Sequence, residues 1–224
     1  MRTSDEPCLL LAEAIEERWP LAYAAVRDGR LVVSGLLDHS RDVASILTGV
    51  EILRRRLLVL GERARDFYGW RDEDVLGLAR AAALLHDLGK ASQRYRQRAL
   101  EGLKRCRGPQ HSISFPHHEL VPAALLLAYA SNVDERLRRA IDIVAEAVAR
   151  HHAAMIGRGQ QSRGHRIPTN ELVEIARGIP RGFVEELKDE CEGHGLCLDI
   201  LEATGKALEE GGDLVSVADG LANG

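Results

Sequence analysis

The run Asp72-Glu73-Asp74-Val75-Leu76-Gly77-Leu78-Ala79-Arg80-Ala81-Ala82-Ala83-Leu84-Leu85-His86-Asp87-Leu88-Gly89-Lys90 decides the architecture. Val75, Leu78, Ala79, Ala82 and Leu85 recur at three- and four-residue steps, the pattern of a helix with one buried face. Asp72 suits an N-cap, and Gly89 suits the end of the helix. Outward from this run, Asp42–Leu60 carries Val43, Ile46, Leu47, Val50, Leu53, Leu57 and Leu58 at the same mixed steps and reads as a second helix. Segments 119–130 and 134–152 read as two more buried helices. Shorter helices are expected at 170–177, 183–191, 196–209 and 213–221. One good strand signal stands near the front: Leu21–Val26 and Leu31–Val33 flank Arg27-Asp28-Gly29-Arg30, a hairpin around an Asp-Gly turn. The expectation is an all-α fold, with residues 38–224 as a helical domain and residues 1–37 as an N-terminal segment with a short hairpin packed on it.

Composition narrows the class. The 224 residues are 45% hydrophobic and 29% charged, which excludes disordered and collagen-like chains. The longest apolar run, Leu120 to Ala130, is interrupted by Pro122 and is too short to span a bilayer. The first residues carry acids where a signal peptide carries basic residues, so a soluble, non-exported, cytoplasmic protein is expected. A net charge of −4 excludes nucleic-acid binding by global electrostatics alone and leaves room for a local basic rim. Cys8, Cys106, Cys191 and Cys197 show no CxxC spacing, and reduced, packed thiols are expected of them.

The nine histidines carry the chemistry. His86-Asp87 closes one apolar helix, His117-His118 opens another, His151-His152 closes a third, and His39 begins a fourth within Asp38-His39-Ser40. Asp219 lies in the last helix. Ionisable groups are costly on apolar helix faces unless something pairs with them. Helix ends in a bundle can converge on one point, and imidazoles with carboxylates suit divalent first-row transition metals. A carboxylate such as Asp87 can bridge two ions, and a pair of ions polarises a phosphoryl group.

These residues resemble the HD superfamily of metal-dependent phosphohydrolases, and more narrowly the HD nuclease of type I CRISPR interference in its stand-alone form without the helicase. The likeness rests on His86-Asp87-Leu88-Gly89-Lys90-Ala91-Ser92 followed by Arg94-Tyr95, on Asp38-His39-Ser40, on His118-Glu119, on His151-His152 and on Ala218-Asp219. It runs from about Asp38 to Asp219. Ala153 stands where the family commonly has Gly, and Asp38 where it commonly has Glu. The resemblance implies an HD-domain helical bundle holding two divalent transition-metal ions: manganese, nickel, cobalt or iron ahead of magnesium, which prefers oxygen ligands. It places His39, His86, Asp87 and Asp219 around one ion, and Asp87, His118, His151 and His152 around the other. His117 competes with His118 for its place, and the following Glu119 favours His118. Lys90 would neutralise a phosphate oxygen in the transition state.

The implied activity is hydrolysis of phosphodiester bonds in single-stranded DNA, with RNA as a second candidate. The sequence holds no P-loop, so a separate helicase subunit and the RNA-guided effector complex would supply the strand. Segment 94–107 has six basic residues against one acid, Glu101. Arg94, Arg96 and Arg98 there, with Arg158 and Arg163 in the 157–168 loop, are the candidates for guiding phosphates. Tyr95 and Phe115 are the candidates for stacking on bases. Two rival readings remain: an HD phosphohydrolase of nucleotides or cyclic dinucleotides, and a catalytically degenerate metal-binding docking scaffold. The intact ligand set and Lys90 speak against the scaffold.

Overall fold

The computed structural model describes residues 6–104, 106, 111–152, 167–191, 195–210 and 213–223. The first described element is helix α1 (Glu6–Arg18), whose apolar residues follow no clear helical period. The hairpin follows as β1 (Leu21–Arg27) and β2 (Arg30–Gly35). Asp28 and Gly29 both take positive φ, +51° and +73°, as a tight two-residue hairpin turn requires. A short third strand, β3 (His111–Ser112), adds antiparallel to the free edge of β1, so the sheet order is β2-β1-β3.

The helical body comprises α2 (Leu36–Gly49), α3 (Glu51–Tyr68), α4 (Asp72–Leu85), α5 (Gln93–Leu103), α6 (Leu120–Tyr129), α7 (Glu135–Ala149), α8 (Thr169–Arg177), α9 (Arg181–Lys188), α10 (Gly195–Glu210) and α11 (Leu214–Asn223). The all-α expectation holds. The single helix expected over Asp42–Leu60 is two. Gly49 ends α2, and the extended Val50 turns the chain so that both α2 and α3 can pack on α4. Gly disfavours helix interiors enough to make this the natural break.

Helix α4 is the central post, buried at Val75–Leu78, Ala81 and Ala83–Leu85 and packed against α2, α3, α7 and α10. Gly61 of α3 sits so close to the Val75 side chain that no Cβ would fit. Its N-cap is Arg71, one residue earlier than the sequence suggests: the buried Asp74 carboxylate accepts the Arg71 backbone N–H at 2.8 Å. The same carboxylate accepts from Arg136 of α7 at 2.9 Å. At its other end α4 stops at Leu85, before Gly89, and a 3₁₀ turn over Leu88–Ala91 carries the chain toward α5.

The main core runs through α2, α4, α6, α7, α8, α9 and α10. A smaller cluster joins Leu11 and Ile15 of α1, Leu21, Ala24 and Val26 of β1, and Ala99 of α5. The expectation of reduced thiols is overturned: Cys8 bonds Cys106, and Cys191 bonds Cys197. Sequence spacing could not show the first pair, whose 98-residue separation closes because α1 packs on α5. No described helix is long and apolar enough to cross a membrane.

Candidate metal centre

Four helices deliver ionisable side chains to one place. His39 stands in the first turn of α2. His86 and Asp87 follow the last turn of α4, where the helix gives way to the 3₁₀ turn. His118 comes from the turn before α6, and His151 and His152 from the turn after α7. Gly89 makes this convergence possible: a Cβ there would collide with the backbone carbonyl of His118. His117 takes a left-handed φ of +61°, and His118, not His117, is the residue brought into the cluster.

Asp87 lies at the centre, its side chain 3% exposed. Its two oxygens face different groups. Oδ2 lies 3.5 Å from His39 Nε2, 3.4 Å from His86 Nε2 and 2.7 Å from Lys90 Nζ. Oδ1 lies 2.8 Å from His118 Nε2 and 3.7 Å from His151 Nε2. His152 Nε2 is 3.0 Å from His118 Nε2, completing the second set. Among the described residues two groups able to hold a cation result, His39–His86–Asp87 and Asp87–His118–His151–His152.

Backbone carbonyls orient three of the rings in the same way. The Nδ1–H groups of His86, His118 and His151 donate to the carbonyls of Ala83, Phe115 and Val148, each three residues earlier, at 2.5–2.7 Å. A carbonyl can only accept, so each Nδ1 carries a proton, and Nε2 is the ring atom turned toward Asp87, where it can donate to the carboxylate when protonated or bind a cation when not. Metal-binding histidines are commonly set up this way. Two buried atoms, Asp87 Oδ1 and His151 Nε2, have no properly directed hydrogen-bond partner. Unsatisfied buried polar atoms are costly, and a divalent ion would satisfy both. The nitrogen-rich donor set, with one shared carboxylate, fits a first-row transition metal.

The charges agree with this arrangement. Burial alone would raise the Asp87 pKa, but the surrounding His118, His151 and His86 outweigh it and hold the carboxyl far below the usual range. Burial pushes His39 and His152 down. For His151 burial also works against protonation, yet Asp87 and the Val148 carbonyl win and its pKa rises. Lys90 Nζ adds a second anchor by donating to the Ala22 carbonyl at 3.2 Å, which ties β1 to the site.

The cluster forms one end of a cleft of about 550 Å³ whose other walls come from α2, α4, α7 and β1. Among the described residues, neither cation-holding group includes Asp219. That residue is exposed on α11 and accepts a hydrogen bond from Thr169 at 3.0 Å. The α5 arginines have partners within the chain: Arg94 lies 3.6 Å from Glu174, Arg98 pairs with Glu171, and Arg96 donates to the Glu16 carbonyl at 3.3 Å. Arg158 and Arg163 fall outside the described residues. Tyr95 and Phe115 are 1% and 8% exposed, so they fill the core, and the stacking expectation for them is corrected. Sequence reasoning also missed the Ala22 carbonyl; no side-chain pattern could have revealed a backbone acceptor.

A family model described as "Cas3, HD domain" matches residues 24–213. The chain belongs to the Cas3 HD-domain family. No curated protein and no solved structure matches it. As a Cas3 HD domain it is an HD-superfamily domain of type I CRISPR kind. Membership implies a metal-dependent hydrolase of nuclease type with a nucleic-acid substrate. The matched span contains all six residues of the two cation-holding groups and stops short of Asp219.

Proposed function

We propose that this Cas3 HD domain hydrolyses phosphodiester bonds of single-stranded DNA with two divalent transition-metal ions, on a strand supplied by a separate helicase subunit and an RNA-guided effector complex. The observation that carries the reading is the division of Asp87, one oxygen facing His39 and His86 and the other facing His118 and His151. His39, His86 and Asp87 would hold one ion, and Asp87, His118, His151 and His152 the other. Manganese, iron, cobalt or nickel suits so many imidazoles better than magnesium does. Bound ions of this kind supply Lewis acidity at phosphorus and a water of lowered pKa.

The remaining work falls to the chain. The Ala83, Phe115 and Val148 carbonyls fix the rings, so little reorganisation is needed when substrate arrives. Lys90 holds Asp87 in place through its 2.7 Å contact, and lining the cleft it is placed to stabilise negative charge that develops on the phosphate. A cleft of about 550 Å³ has room for a nucleotide-sized part of a strand beside the metal groups.

The test is a cleavage panel: labelled single-stranded DNA, duplex DNA, RNA and mononucleotides, each with manganese, iron, cobalt, nickel and magnesium. Single-stranded DNA should be cut with transition metals, and Asp87→Ala should abolish cutting while leaving the helical circular dichroism unchanged. Cleavage of mononucleotides alone, or full activity in Asp87→Ala, would overturn the proposal.

A further inference from the structure

The cleft has a second end that metal chemistry does not use. On α2, Val43 and Leu47 follow His39 at four-residue steps, on the same helix face. On α4, Ala82 precedes His86 by four residues, and on α7, Ala147 precedes His151 by four. Each of these three helix rows therefore has a histidine at the metal end and aliphatic side chains along the flank. With 1.5 Å of rise per residue, Val43 and Leu47 lie about 6 and 12 Å along the helix axis from His39. Tyr23 of β1 borders the same space.

We infer that this aliphatic flank seats the base and sugar of the nucleotide adjoining the scissile phosphate, and that it holds them without reading base identity. The inference rests on the nuclease reading proposed above. Its physical basis is what the flank offers. Val43, Leu47, Ala82 and Ala147 present apolar surface to an open cleft, where a planar ring can cover it and remove it from water. Base discrimination needs side-chain donors and acceptors set against base edges. Among the described residues, however, every charged side chain lining the cleft gathers at the metal end with Asp87, and the Tyr23 hydroxyl, the one further polar side-chain atom on that lining, is itself buried. The small alanines on two of the three rows keep the flank shallow, so purines and pyrimidines meet the same surface.

Two readouts test this. An eight-nucleotide oligodeoxythymidine carrying one 5-iododeoxyuridine is mixed with the protein and manganese and irradiated at once. Cross-links should map to peptides containing Tyr23 or Leu47; cross-links confined to other surfaces overturn the inference. In steady-state cleavage, changing the base at the flanking position should alter kcat/KM by less than about threefold. An abasic sugar there should raise KM about tenfold, the loss expected when one ring's burial is removed. Leu47→Asn and the milder Val43→Thr should raise KM for the base-bearing strand with kcat and manganese affinity kept, and Leu47→Asn should erase the abasic difference. A tenfold preference among the four bases, or unchanged KM in both variants, overturns the seat. If the unaltered protein cleaves no phosphodiester with any metal, the nuclease reading fails instead, and the cross-link position alone decides the flank.

Discussion

Gly89 is held to its identity by His118. With the His118 carbonyl packed where a Cβ would stand, Gly89→Ala must push the second group of ligands away from Asp87. We expect that variant to lose about 1–3 kcal/mol of stability, as overpacking does, and to bind manganese more weakly by titration calorimetry. Lys90→Ala should act differently: manganese binding persists while turnover falls about 10²-fold, the usual scale for losing a charge-stabilising group. Unchanged turnover would leave Lys90 a purely structural partner of Asp87. At this scale the sequence was informative for a physical reason. His39, His86, Asp87, His118, His151 and His152 stand at ends of apolar helices, where burial forces a shared purpose on them. Asp219 shows the opposite case, because a lone Ala-Asp pair carries no spacing constraint, and its side chain lies exposed beside Thr169. Tyr95 and Phe115 could not be separated from core aromatics by pattern, since a stacking ring and a packing ring look alike in one dimension.

Elements were legible where periodicity was long and blurred where geometry turned on one residue. The helices ending at Leu85, Tyr129 and Ala149 follow directly from apolar spacing. The break at Gly49–Val50 did not, because the apolar steps continue across it and only packing on α4 reveals the turn. Helix α4 starts one residue before the position its Asp72 suggests, because Asp74, not Asp72, makes the capping contact. That contact also ties two elements that carry ligands, since Arg136 of α7 shares the Asp74 carboxylate. Asp74→Ala should therefore cost about 1–3 kcal/mol by removing a buried acceptor from two donors. In a chain of this size that is a fall of roughly 2–4 °C in Tm per kcal/mol, readable in a thermal melt. A Tm within a degree of the parent would show that water replaces the cap without loss.

Across the whole molecule, the two clusters of buried side chains are joined unequally. The smaller one, built on α1, β1 and α5, is closed by Cys8–Cys106 across 98 residues. Restricting so long a loop in the unfolded chain stabilises the native state by about 2–4 kcal/mol. The Cys8→Ser/Cys106→Ser double variant should melt correspondingly lower than the oxidised parent, and dithiothreitol should bring the parent toward it. No difference between oxidised and reduced parent would mean that packing of α1 on α5 suffices. The pairing was invisible in the sequence, where α1 itself offers no clean apolar rhythm.

The Ala22 carbonyl that anchors Lys90 has a practical consequence for anyone shortening this polypeptide. A version cut to the span matched by its family, residues 24–213, would delete that carbonyl and sever the first strand behind it. The ammonium would then keep only Asp87 and the face of the Phe115 ring among the contacts described, with one wall of its chamber gone. Truncated preparations should thus begin no later than the hairpin's first residue if they are to keep the native poise of that lysine.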